Sequence, residues 1–266
     1  MQRDFVTSKT VFPLEVGRFH KRLKKAGFPL AGLDIVKDFR SQSFQIEDYG
    51  KMVSEEMTKL AERDNLNIVI ANSVGTISTL LAVASKIQKA RQNGFNSQLD
   101  NLPAEFRLPK MLILVDPIFD GLTTVAQTYL EKLKEIYHYK DIPGLKELYA
   151  DSEFLSQFRW LIDEVKDDLS LTVCLNGQAG ENFVACPFAA VKKTRFDALA
   201  KKLGIDRRIE EEFAVNLQGN DGMCREGTVK AFWPKSRWLK SPINKIGGDL
   251  MLALFKKASK LSVNRT

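Results

Sequence analysis

The sequence predicts an α/β protein: a mostly parallel sheet flanked by helices on both faces. Two observations carry the class. Short, continuous apolar runs recur along the chain, and such runs mark strands buried on both sides. The segments between them repeat apolar residues every three to four positions, the period of an amphipathic helix. With 266 residues and neither internal repeat nor low-complexity linker, the chain fits one large domain.

The elements follow in order. Residues 18–26 read as a basic helix, with Gly27 where a helix C-terminal glycine belongs, and 28–35 (FPLAGLDI) as a strand. Ser43 and Glu47 mark a second helix start, after which Ile46, Tyr49, Val53, Met57 and Leu60 recur at helical spacing. Residues 66–72 (LNIVIAN) form a β-branched run between Asp64-Asn65 and Ser73. Residues 74–91 are helical, with Ile77, Leu81, Ala84 and Ile87 on one face. Turn formers crowd residues 92–109, which read as a surface excursion. Met111–Val115 (MLILV) is a fully apolar strand closed by Asp116-Pro117. A helix-rich stretch over 122–165 is interrupted at Pro143-Gly144. Residues 170–175 (SLTVCL) make a strand, 189–203 a helix stopped by Gly204, and 213–217 (FAVNL) the last clear strand. A final helix over 247–261 collects Leu250, Met251, Leu254, Phe255, Ala258 and Leu261 on one side. The chain thus divides into a first part of the core (1–119), a helical cap-like insert (120–168) and a second part ending in a basic helix (169–266).

Composition narrows the function. Hydrophobic residues are 44% and charged residues 27%, which excludes a disordered or collagen-like chain and a disulfide scaffold. No apolar run reaches the roughly 20 residues of a membrane span, and residues 1–10 carry charge at Arg3, Asp4 and Lys9 in place of an apolar signal core. Cys174, Cys186 and Cys224 show no CxxC spacing and suggest free thiols in a reducing, cytoplasmic setting. Only two histidines occur, His20 and His138, which excludes a zinc site built on several histidines. Neither a phosphate-binding nor a dinucleotide-binding glycine loop is present, so no cofactor and no metal are expected. The net charge of +7 is uneven: residues 225–266 hold 10 Lys and Arg against 2 Asp and Glu, leaving 30 against 31 before them. That basic end interleaves Lys230, Phe232, Trp233, Lys235, Arg237, Trp238 and Lys240. It suits either an anionic partner, such as nucleic acid or an acidic lipid surface, or packing of the final helix on the sheet.

The most specific local feature is Ala71-Asn72-Ser73-Val74-Gly75. A serine stands between a buried strand and a buried helix, with small residues two positions away on each side. A tight strand-to-helix turn strains its apex, and bulky neighbours at those positions would collide. The Val74 N–H, at a helix N-terminus, would help stabilise an oxyanion.

Here the sequence resembles the α/β-hydrolase superfamily, whose nucleophile elbow usually reads G-x-S-x-G. The stretches RLKKAGFPLAGLD, IEDYGKMVSEEMTKLAERDNLNIVIANSVG, LPKMLILVDP and LTVCLNGQAGEN resemble, in order, the elements around and after the elbow, over roughly residues 15–260. The resemblance implies a nucleophilic Ser73, an oxyanion donor at Val74, elbow positions at Ala71 and Gly75, and an acid at Glu181 or at Asp116 or Asp120. The substrate would be a small ester or thioester, and the reaction hydrolysis or acyl transfer. The pattern is broken where a catalytic histidine usually follows the last strand. The loop there reads Gln218-Gly219-Asn220-Asp221-Gly222-Met223, and no histidine follows His138. The oxyanion loop, often beginning His-Gly, corresponds to Phe12-Pro13-Leu14-Glu15-Val16-Gly17. A serine hydroxyl without a base is a weak nucleophile. His138 from the insert, His20, or Asp221 acting on water are the available substitutes. Two further readings stand beside catalysis: an inactive α/β-hydrolase-fold scaffold, with Ser73 as a helix cap, and an anion-binding protein using its basic C-terminal segment.

Overall fold

The computed structural model describes residues 45–63, 66, 68–72, 74–96, 102–115, 117–119, 121–122, 143–169, 171–178, 183–186, 189–192 and 237–242, with single positions 25, 127 and 131. The strands expected over 28–35 and 213–217 and the helix over 247–261 lie outside these residues.

Helix α1, Ile46–Glu62, starts where its first-turn N–H groups find acceptors. The Gln45 N–H donates to Asp48 Oδ2 at 3.1 Å, and the Ile46 N–H to Glu147 Oε2 at 2.7 Å, from a hundred residues on. Burial pushes the Glu147 carboxyl above its ordinary value; the Ile46 bond opposes this, and Glu47 and Asp48 add to it. Ile46, Tyr49, Val53 and Met57 face the core, at the expected spacing.

Strand β1, Ile68–Asn72, is followed after one residue by helix α2, Val74–Gln92. Helix α2 is the central helix, packed against α1, β1 and a later helix. Accordingly its buried residues run around most of its circumference, including Ile77, Leu80, Val83, Ala84 and Ile87. The α1–α2 crossing is close: a Cβ at Gly50 would lie 3.1 Å from Leu81 Cβ. Helix α2 ends on Gly94, at φ +76°, with Phe95 N–H bonded to Ala90 O and Gly94 N–H to Arg91 O.

Strand β2, Met111–Val115, follows. Met111, Leu112, Ile113 and Leu114 are all buried, and alternate residues face opposite sides, so the sheet is covered on both faces here. The segment before β2 differs from the expected surface excursion. Leu102 and Phe106 are buried with Ala90, and the Phe106 ring lies 5.3 Å from that of Phe95. Arg107 Nη1 donates to Ala61 O, closing the end of α1. Lys86, on α2, is 1% exposed and donates to Thr58 Oγ1 (2.7 Å) and to Glu105 O (2.8 Å).

That lysine has a pH signature. Burial, reinforced by Lys89 and opposed by Glu105, lowers its pKa from 10.5 to about 8. The unfolded chain therefore holds this proton more tightly than the folded one, and stability rises as pH climbs from about 8 toward 10.5. Relative to Lys86→Met, the unfolding free energy of the wild type is expected to gain on the order of 3 kcal/mol between neutral pH and the unfolded-state pKa. Urea titrations of both proteins across that range read it, and a difference that stays flat contradicts it.

After β2 come the short helix α3, Pro143–Lys146, and helix α4, Glu153–Val165, which packs on α2. Pro143 occupies a first helical position, where its missing N–H costs nothing, so Pro143-Gly144 opens a helical turn. Leu155, Phe158, Ile162 and Val165 of α4 join the same core as α1, α2 and β2. Arg91 of α2 pairs with Glu164 and Asp168 at the far end of α4. Ser152 caps α4: its Oγ accepts the Leu155 N–H at 3.2 Å and donates to Glu147 O at 2.6 Å. Ser152→Ala is expected to cost about 1 kcal/mol, read by thermal or urea unfolding; a variant as stable as wild type contradicts that role.

Strand β3, Leu171–Gln178, runs past the expected end. Strands β4, Phe183–Cys186, and β5, Ala189–Lys192, form an antiparallel pair, so the helix expected from residue 189 does not begin there. Strand β6, Arg237–Pro242, closes the described sheet, whose order is β1-β2-β3-β6 with every pairing parallel.

Candidate active site

The parallel sheet sets where a site belongs. All four strands end at one edge, and in open α/β sheets ligands gather there. At that edge β1 ends at Asn72 and α2 begins at Val74, so Ser73 alone stands between strand and helix in the chain. Ala71 is 6% exposed in β1, paired with Leu114 of β2. Val74 is half-buried against the core, and the Ser78 hydroxyl back-bonds to its carbonyl at 3.5 Å. No acidic residue occupies the first turn of α2, which leaves the positive end of a 19-residue helix dipole uncompensated by its own side chains. Thr76, Ser78 and Thr79, also near that end, are buried hydroxyl residues.

At Gly75 an added Cβ meets nothing within 4 Å among the described residues. Ser73, Asp116, His138 and Glu181 lie outside the described residues, as do Asp120, His20 and Asp221. Asn72 pairs with Val115, so Ser73 and Asp116 each follow a member of the same register pair. Glu181 falls in the connection between Gln178, the end of β3, and Phe183, the start of β4. Among the described residues, no group of three or more His, Cys, Asp or Glu is arranged to hold a metal ion, and no helix is long and apolar enough to cross a membrane.

No protein-family model matches the sequence, and no curated protein matches it. Solved structures do match the fold. The chain superposes on the lipase BlEst2 of Bacillus licheniformis, in its mature form, with a TM-score of 0.55, covering 90% of this chain and 82% of that one at 16% identity. The fold is that of the α/β-hydrolases. The same lipase in its propeptide form gives a TM-score of 0.51 at 15% identity, over 87% of this chain and 43% of that one. Phospholipase PlaB from Legionella pneumophila is matched over 66% of this chain and 37% of that one, at 16% identity and a TM-score of 0.44.

Within the α/β-hydrolase fold, sequence reading missed β6. Arg237-Trp238-Leu239-Lys240 reads as part of the basic end, suited to an anionic partner or to packing of the final helix on the sheet, because its two apolar residues are flanked by charge. The available signal was a Trp-Leu pair bounded by Pro234 and Pro242, residues that suit strand ends. The correction moves part of the basic C-terminal segment from beyond the sheet into it.

Proposed function

We propose that the protein is a serine hydrolase or acyltransferase acting on an ester or thioester. The observation that carries this is the passage from β1 to α2 through one residue, Ser73, at the ligand-binding edge of an α/β-hydrolase fold. In the proposed reaction the Ser73 hydroxyl adds to the substrate carbonyl as a base takes its proton. The N–H of Val74, at the helix N-terminus, stabilises the oxyanion. Collapse of the adduct expels the alcohol or thiol, and water or a second acceptor then takes the acyl group. Asp116 is the favoured acid over Glu181, because it immediately follows the register partner of Asn72. His138 is the proposed base.

The inactive-scaffold reading has one observation in its favour: no histidine follows β6 in the sequence. Turnover of short-chain p-nitrophenyl esters and acyl thioesters by the purified protein separates the two. Hydrolysis above the buffer rate supports the enzyme; none with either substrate class leaves the scaffold reading.

A further inference from the structure

Among the described residues, Lys86 is the only charged side chain that is buried, and the proposed reaction makes no use of it. Its amine ties three parts of the chain together. It extends from α2, donates to Thr58 Oγ1 of α1, and donates to Glu105 O in the turn that precedes β2. The Thr58 hydroxyl gives its own proton to Ser54 O at 3.0 Å, which leaves its oxygen free to accept. These two acceptors match the two N–H groups of a neutral amine. An ammonium has three, and no third acceptor stands beside it among the described residues. A charged donor left unsatisfied inside the fold is costly.

The groups facing Lys86 do not offset that cost. Lys89, on the same helix, repels the ammonium, and Glu105, on the turn, attracts it. From α1 the facing group is the neutral Thr58 hydroxyl. Arg107, also on the turn, is directed elsewhere, to Ala61 O at 2.9 Å and Leu102 O at 3.3 Å.

Residues 102–107 are the part of this arrangement able to yield. They form turns, with neither helix nor strand. Leu102 and Phe106 join Ala90 in a small cluster apart from the main core, against which only the half-buried Ala104 of this segment packs. The other ties to α1 and α2 are the hydrogen bonds of Lys86 and Arg107. Sparse apolar contact and the lack of a backbone ladder mark segments that open at less cost than the whole fold. Helix α2, by contrast, is held in the main core by Ile77, Leu80, Val83 and Ile87.

We propose that residues 102–107 are a pH-sensitive strap over α2, held shut by the neutral Lys86 amine and loosened by its ammonium form. Opening lets water reach the ammonium and exposes Leu102 and Phe106. With an affinity for the proton near 10.5 when open and about 8 when closed, the opening constant falls roughly tenfold from pH 7 to pH 9.

Chymotrypsin reads the strap at the Phe106–Arg107 bond, since Phe106 is 6% exposed when the strap is shut. Cleavage of a segment that recloses quickly follows its open fraction. The purified protein is digested at pH 7 and pH 9, the first cuts are mapped by mass spectrometry, and each rate is divided by that of a synthetic peptide of residues 98–112 at the same pH. Phe158, buried in α4, serves as the internal control for global unfolding. The wild type should be cut first at Phe106, with a normalised rate about tenfold lower at pH 9. Lys86→Met should remove that pH dependence, and Lys86→Gln takes its place if the methionine variant does not fold. A wild-type rate that is flat with pH, first cuts shared equally between Phe106 and Phe158, or a variant that keeps the tenfold change would each overturn the proposal.

Discussion

Ser73→Ala is expected to lower ester or thioester turnover by roughly 10³-fold or more, the scale on which removing a nucleophile acts in serine hydrolases. The alanine keeps the small side chain between β1 and α2 and removes only the hydroxyl that would carry the acyl group. The helix N-terminus and its Val74 N–H stay in place, so substrate affinity should change much less than kcat. Circular dichroism and unchanged thermal unfolding would show that the fold is intact. Turnover that persists in a folded Ser73→Ala protein would move the chemistry elsewhere.

Gly121→Ala is expected to destabilise the fold by about 3 kcal/mol or more, through both steric overlap and backbone strain. Gly121 has φ +80°, a left-handed conformation that alanine adopts only under strain. An added Cβ would lie 2.5 Å from Leu148 O, 2.7 Å from Leu155 Cδ1 and 2.9 Å from Ala150 Cα. Two of these are backbone atoms, fixed where the Leu122 N–H donates to Leu148 O at 2.8 Å and Leu122 bridges to Tyr149. The third belongs to a fully buried leucine of α4. The chain leaving β2, with Ile118 and Phe119 buried, would separate from α4, whose Phe158 ring lies 6.2 Å from that of Phe119. Chemical denaturation reads the loss, and a midpoint close to wild type would contradict it.

The legible parts of the fold were those where one period dominates. Met111–Val115 is apolar throughout and forms the strand expected of it, and the spacing of Ile46, Val53 and Met57 correctly marks the buried face of α1. Three features needed tertiary information. Lys86 is an ordinary surface residue by type, yet Thr58 and Glu105 satisfy two of its N–H groups inside the fold. Turn formers crowd residues 92–109, but Leu102 and Phe106 within that stretch are buried with Ala90. Strand β6 is disguised by its own charge and becomes visible only through its pairing with β3. At the candidate site, the strand ending at Asn72 and the helix beginning at Val74 were legible from their apolar patterns.

The central claim is that Ser73 is an activated nucleophile, and covalent labelling tests it most directly. The purified wild-type protein is treated with a fluorophosphonate probe, digested and mapped by mass spectrometry. One modified serine, Ser73, is expected, with labelling abolished in Ser73→Ala. No labelling of the folded wild type, or labelling that survives in Ser73→Ala, would contradict it.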